Sequence, residues 1–176
     1  MYHLQGVLGW VKYLISIYTD GGCSGNPGPG GWAYVIVRSG EGEVGNSSLL
    51  GELWGAERLT TNNRMELQAV IAALEALPSY TGHDKRTGVA ACAEKITVYT
   101  DWQYVQKGMT VWLEAWKGKG WKTSNRQPVK NKDLWQRLEA LAAGFTIDWA
   151  WVKGHAGDKY NERCDMLTQK AIASLR

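Results

Sequence analysis

Four carboxylates occupy positions where chain geometry could gather distant acids: Asp20, Glu66, Asp101 and Asp165. A cluster of that kind suits hard divalent cations and the hydrolysis such ions assist. Each acid alone also has a structural reading. Asp20 before Gly21 fits a hairpin turn, and Asn63 with Glu66 has capping-box spacing. Asp101 fits a helix N-cap, and Asp165 fits a solvated helix face. His155, between Gly154 and the Ala156-Gly157 pair, titrates near neutrality and suits proton shuttling, although an isolated histidine of this kind also fits a surface loop. The glycine-rich stretch 25–31 lacks the Gly-Lys-Ser/Thr ending of a P-loop, which argues against a nucleoside triphosphate site.

The apolar pattern outlines the elements that must deliver these residues. Residues 11–18 are β-branched and aromatic and end at Thr19, Asp20, Gly21 and Gly22, which reads as a strand followed by a turn. After the 25–31 loop come a second strand at 32–37 and a third within 47–58, suggesting an antiparallel meander. Across 62–77 the period changes: Met65, Leu67, Val70, Ile71, Leu74 and Leu77 recur at helical spacing, and Pro78 closes the segment. Residues 79–94, with two glycines and mixed charge, read as a loop with room for a short helical piece near Ala90. A buried-type strand at 95–100 ends at Asp101. Helices follow at 102–116, with a break near Gly108, and at 131–143; a last strand at 145–152 and a helix at 158–173 complete the order. This order implies an α/β fold, one mixed sheet covered by helices.

At 176 residues the chain fits one domain, expected over 1–176 with a short N-terminal extension at 1–10. A net charge of +3 permits an acidic partner without identifying one. Cys23, Cys92 and Cys164 are odd in number and far apart, so neither a disulfide framework nor a zinc site is suggested, and a reducing cytoplasm fits. The apolar run 2–17 is interrupted by Gln5, Lys12 and Ser16 and has no charged leader, against a signal peptide. No stretch approaches the ~20 apolar residues of a membrane span, so no membrane partner is expected.

Motif by motif the chain resembles the bacterial type 1 ribonuclease H family. The resemblance is carried by Tyr18-Thr19-Asp20-Gly21-Gly22-Cys23 with the loop through Asn26 to Gly31, and by Thr60-Thr61-Asn62-Asn63-Arg64-Met65-Glu66-Leu67. It continues in Tyr99-Thr100-Asp101 with Gln103-Tyr104-Val105, and in Val152-Lys153-Gly154-His155-Ala156-Gly157 leading to Asn161-Glu162-Arg163-Cys164-Asp165. All occur in family order and cover 13–173. The resemblance implies a ribonuclease H-like fold: a five-stranded mixed sheet, its first three strands antiparallel and its last two parallel, flanked by helices. It also implies an endonuclease that hydrolyses the RNA strand of an RNA/DNA hybrid, acting as a monomer and leaving 5′-phosphate and 3′-hydroxyl ends.

By the same resemblance Asp20, Glu66, Asp101 and Asp165 are ligands of two Mg²⁺ ions, for which Mn²⁺ can substitute. Asp20 would bridge both ions, Asp165 would lie on the water side, and Glu66 and Asp101 on the leaving-group side. Two such ions ~4 Å apart can activate a water and stabilise the leaving oxygen. His155 is implied as an auxiliary proton carrier. Cys23, Asn26, Thr61, Asn62, Asn63 and Gln103 are implied as hybrid contacts, since contacts to the RNA 2′-hydroxyl distinguish ribose from deoxyribose. Their polar side chains fit turn formers equally.

Trp112, Trp116 and Trp121 interleave with Lys117, Lys119 and Lys122, ahead of Arg126, Lys130 and Lys132. Aromatics at helical spacing usually pack a core, and lysine runs usually form a solvated face. Together with Gly118 and Gly120 they resemble the family's basic protrusion, which grips the DNA strand through its phosphates. The chain departs from the family at Trp102, where a small polar residue is common and where the ring either stacks on a nucleotide or fills a gap. It departs again in the long 79–94 loop. Two rival functions are a DNA nuclease or transposase-like enzyme on the same fold and a noncatalytic hybrid-binding module. The first would lack these motifs in combination; the four intact acids and His155 weigh against the second.

Overall fold

The computed structural model describes residues 13–40, 47–81, 95–154 and 157–176. Alternation along Tyr13–Cys23 (β1) turns Ile15, Ile17, Thr19 and Gly21 inward, the period-two signature of a pleated strand. β1 pairs antiparallel with Gly28–Gly40 (β2), which pairs antiparallel with Ser47–Thr60 (β3). On its other side β1 runs parallel to Lys95–Thr100 (β4), and β4 parallel to Ile147–Trp151 (β5). The resulting sheet has the order β3-β2-β1-β4-β5, the mixed arrangement expected.

Helices cover both faces of the sheet. Asn62–Ala76 (α1) lays Leu67, Val70, Ile71 and Leu74 on Ile15, Ile17, Tyr34 and Ile36, with Leu134, Trp135 and Leu138 of Lys132–Ala142 (α5) behind them. Each fully buried aliphatic side chain of that row contributes about 1.5–3 kcal/mol. On the opposite face Lys159–Ala173 (α6) packs Cys164 and Leu167 against Ala33, Val35 and Val37. Asp158 caps α6, its carboxylate accepting from the backbone N–H groups of Tyr160 and Asn161 at 3.0 Å each. The one-turn helix Pro78–Thr81 (α2), Gln103–Lys107 (α3) and Leu113–Gly118 (α4) complete the set. No helix among the described residues is long and apolar enough to cross a membrane.

Several sequence expectations change. Gly21 and Gly22 are not a turn: β1 continues through them to Cys23, with Asp20 paired to Ala33. The chain reverses afterwards, where the Ser24 N–H donates to the Pro29 carbonyl at 2.7 Å. The expected break near Gly108 is instead a widened π turn, Gly108–Trp112, joining α3 to α4. Gly108 abuts the Trp135 indole so closely that a Cβ there would enter the ring. The capping box is also absent. Thr61 is the N-cap of α1, without a side-chain cap bond, and Glu66 is buried in the helix face. Finally, 78–81 forms α2, whereas the rest of the 79–94 loop and the 1–10 extension lie outside the described residues.

Candidate active site

Asp20, Glu66 and Asp101 arrive from β1, α1 and the end of β4, the two central strands and the helix packed on them. Their carboxylates each offer an oxygen within 4.8 Å of the others. Gly21 makes this possible, because a Cβ there would strike the Glu66 backbone nitrogen and the Met65 carbonyl carbon. With no side chain in the way, the first turns of α1 press onto β1. Gly154 does similar service at Asp101, where a Cβ would lie 2.7 Å from the Oδ2 oxygen. The Trp151 indole N–H donates to the Asp101 carbonyl at 2.9 Å, and the Val152 N–H to the Thr100 carbonyl at 3.0 Å, so the ends of β4 and β5 are tied together.

Burial and mutual repulsion raise two of these acids, Asp20 and Glu66. Burial, and then the charges of Asp101 and Asp165, push the Asp20 carboxyl up to about 6, against hydrogen bonding from Thr168 and Gly21. Glu66 is only 2% exposed, and burial together with Asp20 and Asp101 holds its carboxyl well above the usual range. Its Oε2 oxygen is buried with no hydrogen-bond partner. A divalent cation would satisfy that oxygen and offset the mutual repulsion, and an all-oxygen donor set fits a hard ion.

Asp165 stands apart from the trio but beside Asp20. Both line a groove of about 380 Å³ with Cys23, Ser24, Asn62, Gln169 and Arg176. Sequence reasoning does not single out Gln169 or Arg176. The one signal for them is spacing: Asp165, Gln169, Ile172 and Arg176 follow one another at helical intervals and line the same groove. The Cys23 thiol donates to the Gly28 carbonyl at 3.3 Å and the Thr60 carbonyl at 3.5 Å. The Asn26 side-chain oxygen accepts from the Asn62 N–H at 3.4 Å, joining the glycine loop to the start of α1. Thr61, Asn62 and Asn63 are half-buried around that first turn, and Gln103 is exposed at the start of α3. Arg64 forms a two-pronged pair with Asp133 at 3.2 and 2.9 Å, tying α1 to α5. His155 lies outside the described residues.

The basic segment divides. Trp112, Trp116, Lys119 and Lys122 line a second groove, about 340 Å³, with Thr123 and Ser124. Trp116 continues inward to Trp135 at 5.3 Å between ring centroids, so the groove floor is anchored in the core. Lys117 turns away, with its Nζ 2.6 Å from Glu139 and 3.1 Å from Glu114. Trp121 packs against the core and lies under the Lys132 ammonium, 5.9 Å from its ring centroid.

The RNase H family model matches residues 12–173. Ribonuclease H of Paracidovorax citrulli is 54% identical over 160 residues, 90% of this chain and 93% of that protein. The chain belongs to the ribonuclease H family, as a bacterial type 1 enzyme. A second ribonuclease H, from Paramagnetospirillum magneticum, is 49% identical over 92% of each chain. Among solved structures, LC9-RNase H1, described as a type 1 RNase H with the type 2 active-site motif, is similar with a TM-score of 0.75 and 32% identity. That match covers 94% of this chain and 74% of the other. LC11-RNase H1, solved in complex with an RNA/DNA hybrid, has a TM-score of 0.65 at 26% identity, covering 91% and 97%. This ribonuclease H therefore carries its acid trio on the fold of its relatives.

Proposed function

We propose that this ribonuclease H hydrolyses the RNA strand of RNA/DNA hybrids with two Mg²⁺ ions held by Asp20, Glu66, Asp101 and Asp165, leaving 5′-phosphate and 3′-hydroxyl ends. The observation that carries the proposal is the unpartnered, buried Glu66 Oε2 oxygen within the acid trio. The hybrid-bound LC11-RNase H1 supports the substrate class. When bound, the ions supply water activation and stabilisation of the leaving oxygen, and Mn²⁺ can substitute.

The chain's own residues then divide the remaining work. Thr168 helps to hold Asp20, its hydroxyl donating to the Asp20 backbone carbonyl at 3.3 Å. Cys23, Asn26, Thr61, Asn62, Asn63 and Gln103 form the rim that meets the hybrid, where their polar groups can recognise 2′-hydroxyls. Trp112, Trp116, Lys119 and Lys122 grip the DNA strand through its phosphates. Lys117 and Trp121 act behind that surface, setting its shape. His155 carries protons for the attacking water or the departing product. The enzyme acts as a monomeric single domain in the cytoplasm.

Incubation with end-labelled RNA/DNA hybrid, double-stranded RNA and double-stranded DNA, each with and without Mg²⁺, tests this function. Cleavage confined to the hybrid RNA and dependent on Mg²⁺ is expected. Cleavage of duplex DNA would favour a transposase-like nuclease, and binding without cleavage would leave only a hybrid-binding module.

A further inference from the structure

Trp102 occupies a position that ordinarily favours a different kind of residue. It is the N-cap of α3, with φ −97° and ψ 103°, and its side chain makes no cap hydrogen bond. Serine, threonine, aspartate or asparagine at such a site satisfies an N–H of the first turn, which an indole cannot accept. The ring keeps a sizeable open face. Trp102 is 37% exposed and joins neither of the two buried clusters.

Other groups hold the neighbouring acid. The Asp101 carbonyl accepts from Trp151, and Gly154 borders its carboxylate. Trp102 contributes its backbone there, its N–H donating to the Thr100 hydroxyl at 3.1 Å and its carbonyl accepting from the Val105 N–H at 3.1 Å. A large, partly exposed aromatic surface is thus fixed by its backbone one residue from an acid of the trio, at a cost to helix capping.

We propose that Trp102 is a substrate-binding residue whose indole packs against a sugar or base face of the hybrid nucleotide next to the scissile phosphate. The inference rests on the hybrid-cleaving activity proposed above. Aromatic packing of this kind tolerates any base, because every base and sugar presents an apolar face, and it does not release counterions. Trp102 therefore adds affinity at the point of cutting, whereas Lys119 and Lys122 add salt-dependent affinity at a distance.

The test compares the full-length wild type with Trp102→Ser and Trp102→Phe on one end-labelled RNA/DNA hybrid over a range of NaCl. Expected for Trp102→Ser is a KM raised roughly 10-fold, within the span that removal of one stacking ring produces. The smaller part of the effect falls on kcat, the slope of log KM against log salt stays at the wild-type value, and the cleavage ladder redistributes. Trp102→Phe should recover most of the KM. A cooperative unfolding transition within about 5 °C of the wild-type Tm separates a missing stacking surface from a damaged fold. A Trp102→Ser enzyme with wild-type KM and ladder would overturn the proposal, as would equal impairment of the serine and phenylalanine variants. If the wild type itself cut no hybrid, the underlying activity would fall and the proposal with it; a wild type that cuts beside an unaffected Trp102→Ser enzyme sinks the proposal alone.

Discussion

Gly21 and Glu66 meet where β1 passes beneath the first turns of α1, at a separation that leaves no room for a methyl group on Gly21. The two backbones touch directly, so no side-chain rotation can relieve the approach. It sets the depth at which Glu66 is buried and its distance from Asp20.

Gly21→Ala should therefore lower stability by about 3 kcal/mol, the upper part of the usual range for overpacking. It should also weaken divalent-ion binding by shifting Glu66. Urea unfolding with a Mg²⁺ titration of the folded variant checks both effects. A variant with wild-type stability and wild-type ion affinity would show that α1 can lift without disturbing the acids.

The raised acids predict the pH dependence of the protein in chelator. The Asp20 carboxyl titrates at about 6 in the folded state instead of 3.8, and Glu66 is raised as well. Above the unfolded value the native state holds protons that the unfolded chain has released. Stability therefore falls as pH rises from about 4 through 6 and beyond. Asp20→Asn should flatten this fall and, at pH 8 in EDTA, exceed the wild type by on the order of 1–3 kcal/mol. Parallel curves of unfolding free energy against pH for the two proteins would contradict the assignment.

The lysines of the basic segment should separate by role. Lys119 and Lys122 line the Trp112–Trp116 groove, whereas Lys117 is engaged by Glu114 and Glu139. Replacing Lys119 and Lys122 with alanine should flatten the slope of log affinity against log salt by roughly 0.7 to 0.9 for each phosphate no longer neutralised. Lys117→Ala should leave that slope unchanged. Hybrid binding without divalent ions, measured from 50 to about 200 mM NaCl, distinguishes them.

Arg126 sits at φ 59°, in the left-handed region, within the exposed turn after Trp121. Side chains other than glycine and asparagine are disfavoured there. Arg126→Gly should raise stability by about 0.5–1 kcal/mol after the extra freedom of the unfolded chain is counted. Thermal unfolding at low salt provides the measurement; a lowered Tm would mean that the arginine makes a compensating interaction.

Much of this architecture was legible because local pattern and tertiary role agreed. The apolar row of α1 and the run Lys95–Thr100 carry their periods plainly, and both elements appear where expected. The glycines misled for a physical reason. Gly21 looked like a turn former, and Gly108 like a helix break. Both are places where another element comes too close for a side chain, the backbone of α1 in one case and Trp135 in the other. Such close approach leaves no periodic trace. The division between Lys117 and its neighbours was equally hidden, because it depends on Glu139 from a helix distant in sequence. The trio Asp20, Glu66 and Asp101 was legible through its surrounding motifs, whereas Gln169 and Arg176 carried only a helical stripe with no motif around it.

The most direct test of the central claim is the single-turnover rate at which RNA in an end-labelled RNA/DNA hybrid is cut, followed through a Mg²⁺ titration for wild type and Glu66→Gln. The wild-type rate should rise from zero in EDTA to a plateau. Glu66→Gln, folded and hybrid-binding, should fall at least about 100-fold at the same Mg²⁺ concentration. A Glu66→Gln enzyme that cuts within a few-fold of wild type, or a wild type that cuts in EDTA, would contradict the assignment of the buried acid trio as the ion-binding centre.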